Sequence, residues 1–273
     1  MHRIRRISAA LTVAAVLGIA APAAANATAL VTMSGATASY PLVSLLAAKY
    51  VKLHPSKVKF KITQGGAQVG INDVASGRVS IANVSRDPEA SDKGKGLDFY
   101  PVARYAICVV TNKANTLTNL TQSQLTQIFA GKVKTWSAIP GATASGAIDV
   151  ITRTSVAGVL SSFKTLLLEG KGVESSATET ATEGLMKQQV QSDPNSIGFL
   201  SNYQVELGGL NAVNFGGVAC NKANAVSGAY AGVAHFYEVT RGPAKGAAAA
   251  FIGWIDKSGA AKRIINSQWI TIH

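Results

Sequence analysis

At 273 residues and 47% hydrophobic content, the chain is long enough for two ordinary lobes or one large domain. Its 26 basic and 14 acidic residues give a formal charge of +12, which favours anionic partners; no aromatic-interleaved basic stripe appears, which argues against nucleic-acid recognition. The two cysteines stand in no C-x-x-C or Cys/His ligand spacing, which argues against a structural metal.

The first 27 residues read as a cleaved signal peptide. Arg3, Arg5 and Arg6 make a basic start, Ala9 to Ala21 an apolar core, and Ala25-Asn26-Ala27 a cleavage site. Their removal leaves 246 residues with a formal charge of +9. No cysteine follows the cleavage site, so a soluble periplasmic or secreted protein without a membrane anchor is expected. In such an oxidising compartment Cys108 and Cys220 are expected to form a disulfide, with two separate buried thiols as the alternative.

Three strand-to-loop passages follow. ALVTMSG ends near Ser34 and gives way to a helix near Tyr40-Pro41; KVKFKITQ ends at Gly65-Gly66; VSIANV ends at Ser85-Arg86. Helix starts after such strands carry unpaired N–H groups and the positive end of the helix dipole, a setting that binds anions. Lys57, Lys59 and Lys61 alternate along the second strand as a solvated face. LDFYPVARYAICVVTNK reads as one long strand, and Thr121-Gln122-Ser123-Gln124 has capping-box spacing ahead of a helix ended by Gly131.

A strand over 147–152, a helix GVLSSFKTLLLEG, a helix over 181–191 and a turn then strand in NSIGFLSN come next. VAHFYEVT has strand character, and the end reads as two helices broken at Ser-Gly, then a final strand. The alternation predicts an α/β fold with a mostly parallel sheet.

The segments SGATASYPL, TQGGAQVGINDVASGRVSIANVSRDPE, NLTQSQLTQIFAGKVKTWSAI and VSGAYAGVAHFYEVT occur in order with suitable separations. With the terminal AAFIGWIDKSGAAKRI they resemble the periplasmic phosphate-binding proteins of ABC transporters. The resemblance implies a two-lobed type II periplasmic binding fold with the ligand clasped between lobes. Residues 28–105 would begin lobe 1, 106–212 form lobe 2, and 213–273 return to lobe 1. The crossings are expected near Ala103–Ala106 and Val213–Gly217. The implied partners are phosphate or a similar small oxyanion and a transporter permease, with no cofactor and a monomeric chain.

Residue by residue, the resemblance implies ligand contacts at Ser39 and Tyr40, at Ala67 and Gln68, at Ser85 and Arg86, and at Arg153, Ala157 and Gly158. Three positions depart from the family's pattern: Ala67 stands where a hydroxyl is usual, and Ala157 and Val159 replace two hydroxyl residues. Arg153 then carries most of the anion's charge compensation, because a guanidinium engages two oxygens at once. Ser85 cannot by itself enforce the choice of phosphate over sulfate, and the direction of nearby Asp87 is open.

An enzyme is disfavoured. His54, His235 and His273 stand in no triad or H-E-x-x-H spacing, and the acidic residues include no evident catalytic pair. The other reading is a related fold that has lost tight phosphate binding and serves another ligand or an envelope interaction, since fold alone does not fix function.

Overall fold

The computed structural model describes residues 28–272. The expected signal peptide and His273 lie outside the described residues. Each half begins as an alternation of strand and helix. β1 (Ala29–Gly35), α1 (Tyr40–Leu53), β2 (Val58–Gln64), α2 (Ala67–Ala75) and β3 (Ile81–Val84) come first. Pro41 sits in the first turn of α1, where its missing N–H costs nothing.

β4 (Leu97–Asn112) then runs for 16 residues, the longest strand, and leads to β5 (Asn119–Leu120) and α3 (Gln122–Phe129). The capping box expected at α3 forms: Thr121 Oγ1 accepts from the Gln124 N–H at 3.2 Å, and Gln124 Oε1 accepts from the Thr121 N–H at 2.8 Å. β6 (Asp149–Arg153), α4 (Gly158–Leu167), β7 (Thr178–Thr180), α5 (Glu183–Ser192) and β8 (Ser196–Ser201) complete a second alternation. α6 (Asn202–Glu206), β9 (Leu210–Phe215), α7 (Lys222–Ser227), β10 (Val233–Arg241), α8 (Gly246–Lys257) and α9 (Gly259–Gln268) follow.

The strands form one curled sheet in the order β2-β1-β3-β10-β4-β8-β6-β7, with β9 also on β4 and β5 on β9. β4 joins its halves: residues 97–106 pair with β10, and residues 107–112 pair with β8 and β9. The sheet is mixed rather than mostly parallel. β1–β2, β1–β3, β6–β7, β6–β8 and β5–β9 are parallel, but β10 runs antiparallel to β3 and β4, and β4 antiparallel to β8 and β9. The cause is β4 itself. A single strand serves both halves, and the chain has to come back alongside it.

Val213 pairs with Val109 in the part of the sheet built on residues 107–112, the outer half, and from Val233, opposite Ala106, the chain pairs with residues 97–106, the inner half. The final strand reduces to an isolated bridge between Ile270 and Arg104. Cys108 and Cys220 are disulfide-bonded, with Cα atoms 5.5 Å apart.

Packing follows the two faces. α1, α8 and α9 cover one face of the inner half, where Tyr50, Phe60, Phe251 and Trp254 meet edge to face or tilted. α2 covers the other, burying Ile71 and Val74 on Ala82, Val84 and Val239. In the outer half Phe163 stacks on Phe199 at 4.0 Å beneath α4, and Phe129 packs against both. Each such ring contributes about 1.5–3 kcal/mol on burial. Together they fix α4, and with it the loop that precedes it.

Candidate functional site

Three helices aim their N-termini at one place. α1 starts after Ala36–Ser39, α2 after Gly65-Gly66, and α4 after Ala157, and none of the three has a side-chain cap. The N–H groups of Ala67, Gly158 and Val159 find no acceptor among the described residues. Uncapped ends that converge away from bulk water concentrate positive potential. Between them lies a narrow gap, closed here too tightly to admit a water molecule, walled by Ala36–Ala38, Gly66, Ala67, Ser85, Arg153 and Ala157–Val159.

Two glycines permit this approach. A Cβ on Gly158 would lie 2.8 Å from Ala67 Cβ and from Ser85 Oγ. Gly66 has φ +99°, and a Cβ there would lie 2.7 Å from the Val156 carbonyl oxygen. Gln68 N–H donates to that same carbonyl at 3.0 Å, and Ser162 Oγ donates to Ser85 O at 3.3 Å. Ser161 Oγ bonds Glu89. These contacts join the inner and outer halves, so the arrangement is a closed one.

Arg153 ends β6 and is 1% exposed. Its Nε donates to Thr180 O at 3.1 Å, and Nη2 donates to Ala181 O at 2.8 Å and Thr37 Oγ1 at 3.0 Å. Nη1 has no partner. Burial pulls the guanidinium below its usual range, opposed by the charge of Glu183. Glu183 itself is pushed up by burial and bonds the Ser201 N–H and Oγ at 2.9 and 2.7 Å. Arg153 forms no ion pair among the described residues. A buried cation held by neutral acceptors, with a free N–H fork beside uncapped helix ends, is complementary to an anion.

The expected ligand residues separate into two groups. Ala67, Ser85, Arg153, Ala157 and Gly158 meet at the gap. Ser39 does not present its hydroxyl there: Oγ turns back to Ala36 O at 3.3 Å. Tyr40 is half-buried at the start of α1 and is not among the walls. Gln68 directs its side chain to Asn72 and Arg86. Arg86 is consumed by carboxylates, with Nη1 and Nη2 donating to Asp92 at 2.7 and 3.0 Å and Nε lying 3.3 Å from Glu89. Burial pushes Asp92 up, but the bonds from Arg86 and the Glu89 N–H outweigh it and hold the carboxyl below its usual range.

Asp87 turns away from the gap to His235 Nδ1 and Tyr237 Oη, both at 2.9 Å, and the His235 bond holds it low. No carboxylate is among the walls. Thr37 is not among the residues expected from the sequence, although SGATASYP offers it along with Ser34 and Ser39; only the turn geometry shows that it, not Ser39, meets Arg153. A roomier cavity of about 480 Å³ between β4, α8 and α9 is lined chiefly by apolar residues and lies away from the helix ends. Among the described residues no group of His, Cys, Asp and Glu could hold a metal ion.

The chain is similar to known proteins over most of its length. A family model described as the PBP superfamily domain matches residues 22–257. The phosphate-binding protein PstS of Bacillus subtilis (strain 168) is 26% identical over 239 residues, 87% of this chain and 78% of that protein. Protein SphX of Synechococcus elongatus is 28% identical over 247 residues, 83% and 73% of the two chains. A putative phosphate ABC transporter substrate-binding protein with bound phosphate from Clostridium perfringens superposes with a TM-score of 0.83 at 25% identity, covering 89% of this chain and 100% of that one. An ABC-type phosphate transport receptor from Vibrio cholerae gives 0.73 at 25% identity, covering 88% and 99%.

Proposed function

We propose, from the premise that this chain belongs to the PBP superfamily, that it is a periplasmic substrate-binding protein capturing phosphate or a similar small oxyanion for an ABC transporter. The observation that carries the reading is Arg153: buried, without an ion-pair partner, and with Nη1 free beside the uncapped end of α4. The bound anion supplies the missing negative charge. Gly158, Val159 and Ala67 donate backbone N–H groups, and Ser85 and Thr37 supply hydroxyls. Backbone donors thus take over from the hydroxyls absent at Ala67, Ala157 and Val159. Arg86 and Gln68 support the loop from behind.

The two lobes of this reading are residues 28–106 with 233–272, and residues 107–215, joined by β4 and by the connection over 216–232. Opening about β4 would break the Thr37–Arg153 and Gln68–Val156 bonds and admit the anion; closure around it would form the surface a permease reads. A monomer suffices for this cycle. No helix among the described residues is long and apolar enough to cross a membrane. The family's role as binding proteins, not catalysts, fits a site whose groups clasp a ligand without a nucleophile or base.

Calorimetric titration of ligand-stripped protein with phosphate, and with sulfate beside it, tests the proposal. A phosphate signal that disappears in Arg153→Ala supports it. The second reading, a relative that no longer captures phosphate tightly, draws on the methyl groups of Ala67 and Ala157 and the side chain of Val159 at the gap. Silence for both anions at millimolar concentration favours that reading.

A further inference from the structure

The charge is divided unequally along the molecule. Residues 28–106 and 233–272 hold fifteen basic and seven acidic side chains, a formal charge of +8. Residues 107–215 hold seven of each, and the connection between them adds Lys222 alone. A body charged at one end and neutral at the other turns its positive end toward an anionic surface.

One part of the positive half is built differently from the rest. At the C-terminal end of α1, the Tyr50 ring packs 4.4 Å from His54 and 5.3 Å from Trp254 of α8. Leu53, beside them, is 47% exposed. Lys52, Lys57 and Lys257, each within three residues in sequence of Tyr50, His54 or Trp254, are exposed and make no salt bridge among the described residues; Asp256 is the acidic neighbour on α8. A half-buried Trp254 ring, backed by the buried Tyr50 ring, with an exposed leucine and flanking lysines, matches a lipid interface: the indole sits at headgroup level and the ammonium groups meet phosphates. A nucleic acid would need bases stacked on open ring faces, and here the rings face one another.

We infer that the Tyr50–Trp254 cluster and its lysines dock this protein on an anionic phospholipid bilayer. The contact is peripheral and reversible, being electrostatic with shallow aromatic burial. It places the neutral half away from the surface and leaves the cleft unobstructed. It is independent of which anion the cleft binds.

The test is co-sedimentation of the chain from Thr28 onward with vesicles of phosphatidylglycerol in phosphatidylcholine, against phosphatidylcholine alone. Binding is expected only to the anionic vesicles at low ionic strength, and it is expected to vanish in about 0.5 M salt, where screening shortens to a few ångströms. Lys52→Glu with Lys57→Glu and Lys257→Glu should weaken it at least about tenfold. Lys132→Glu with Lys134→Glu, in the neutral half, should not. Equal sedimentation with neutral vesicles, no sedimentation with anionic ones, or equal losses in both variant sets overturns the inference. So does binding to soluble polyphosphate with no vesicle binding. Circular dichroism of each variant excludes unfolding, since every substituted lysine is exposed.

Discussion

Two arginines are buried on opposite sides of the cleft, and the protein treats them differently. Arg86, in the inner half, meets Asp92 in a buried pair with Glu89 at its flank. Arg153, in the outer half, meets only carbonyls and the Thr37 hydroxyl, and keeps Nη1 unpartnered. Burial penalises both charges equally in kind; what differs is how the penalty is offset. The chain's own carboxylates offset it for Arg86, which becomes part of the framework. For Arg153 the offset is left to something that comes and goes. A buried charge without a partner marks a ligand position better than does an arginine in a promising loop.

The largest expected effect breaks the framework side of this contrast. Arg86→Ala strands Asp92 in the interior and should cost about 3–5 kcal/mol in urea unfolding, as loss of one member of a buried pair does. The pH dependence has a defined sign. Asp92 is held below its usual range, so its contribution is present above the unfolded carboxylate value near pH 4 and fades as pH falls through the lower folded value. The variant should lack that acid limb.

Arg153→Ala should reverse the pattern. Anion affinity should fall at least about 100-fold by calorimetry, since each bond to a charged group is worth about 1.5–3 kcal/mol. Stability without anion should hold or rise, because a buried cation without an ion-pair partner has been removed. A large loss of anion-free stability would show that Arg153 is framework too.

Gly158→Ala sharpens the comparison at the cleft. Its Cβ would press on Ala67 and Ser85, so closure should be impeded and anion affinity should drop about tenfold by calorimetry.

The smallest effect concerns another buried group that lacks a partner. Glu238 is 1% exposed, with Oε2 unpaired, and stands across β10–β3 from Asn83, whose Oδ1 is also unpaired. Burial raises its pKa well above the usual value. Its stability contribution is full below the unfolded carboxylate value and is lost as pH rises through the folded one. Glu238→Gln, whose amide can donate to Asn83, should add about 1 kcal/mol near neutral pH, with the gain shrinking in acid. Unfolding curves at several pH values measure it.

Much of the fold was legible because its signals are local. The Thr121–Gln124 box, Pro41 in the first turn of α1 and the apolar stretch of β4 each act through neighbours in sequence. The antiparallel return was not, because β10 meets β4 across more than a hundred residues and no local pattern encodes that pairing. At the cleft, the loops could be found but not their directions. Arg86 and Arg153 look alike in sequence; Asp92, six residues beyond Arg86, separates them only once the turn at Glu89 brings it back. Ser39 and Thr37 differ by two positions, and the turn before α1 decides which hydroxyl faces Arg153.

The disulfide between Cys108 and Cys220 encloses the outer half almost completely, with a sequence separation of 112. Both ends of the described chain belong to the inner half. A force drawn on those ends therefore runs along β4, across the sulfur bridge and out through β10, and the enclosed segment carries no load. About 380 Å of contour, at roughly 3.4 Å per residue, is withheld from stretching until the bridge is reduced. Under tension the half that bears Arg153 behaves as a closed loop hung on a single covalent link, able to stay folded while the half that carries it is pulled apart.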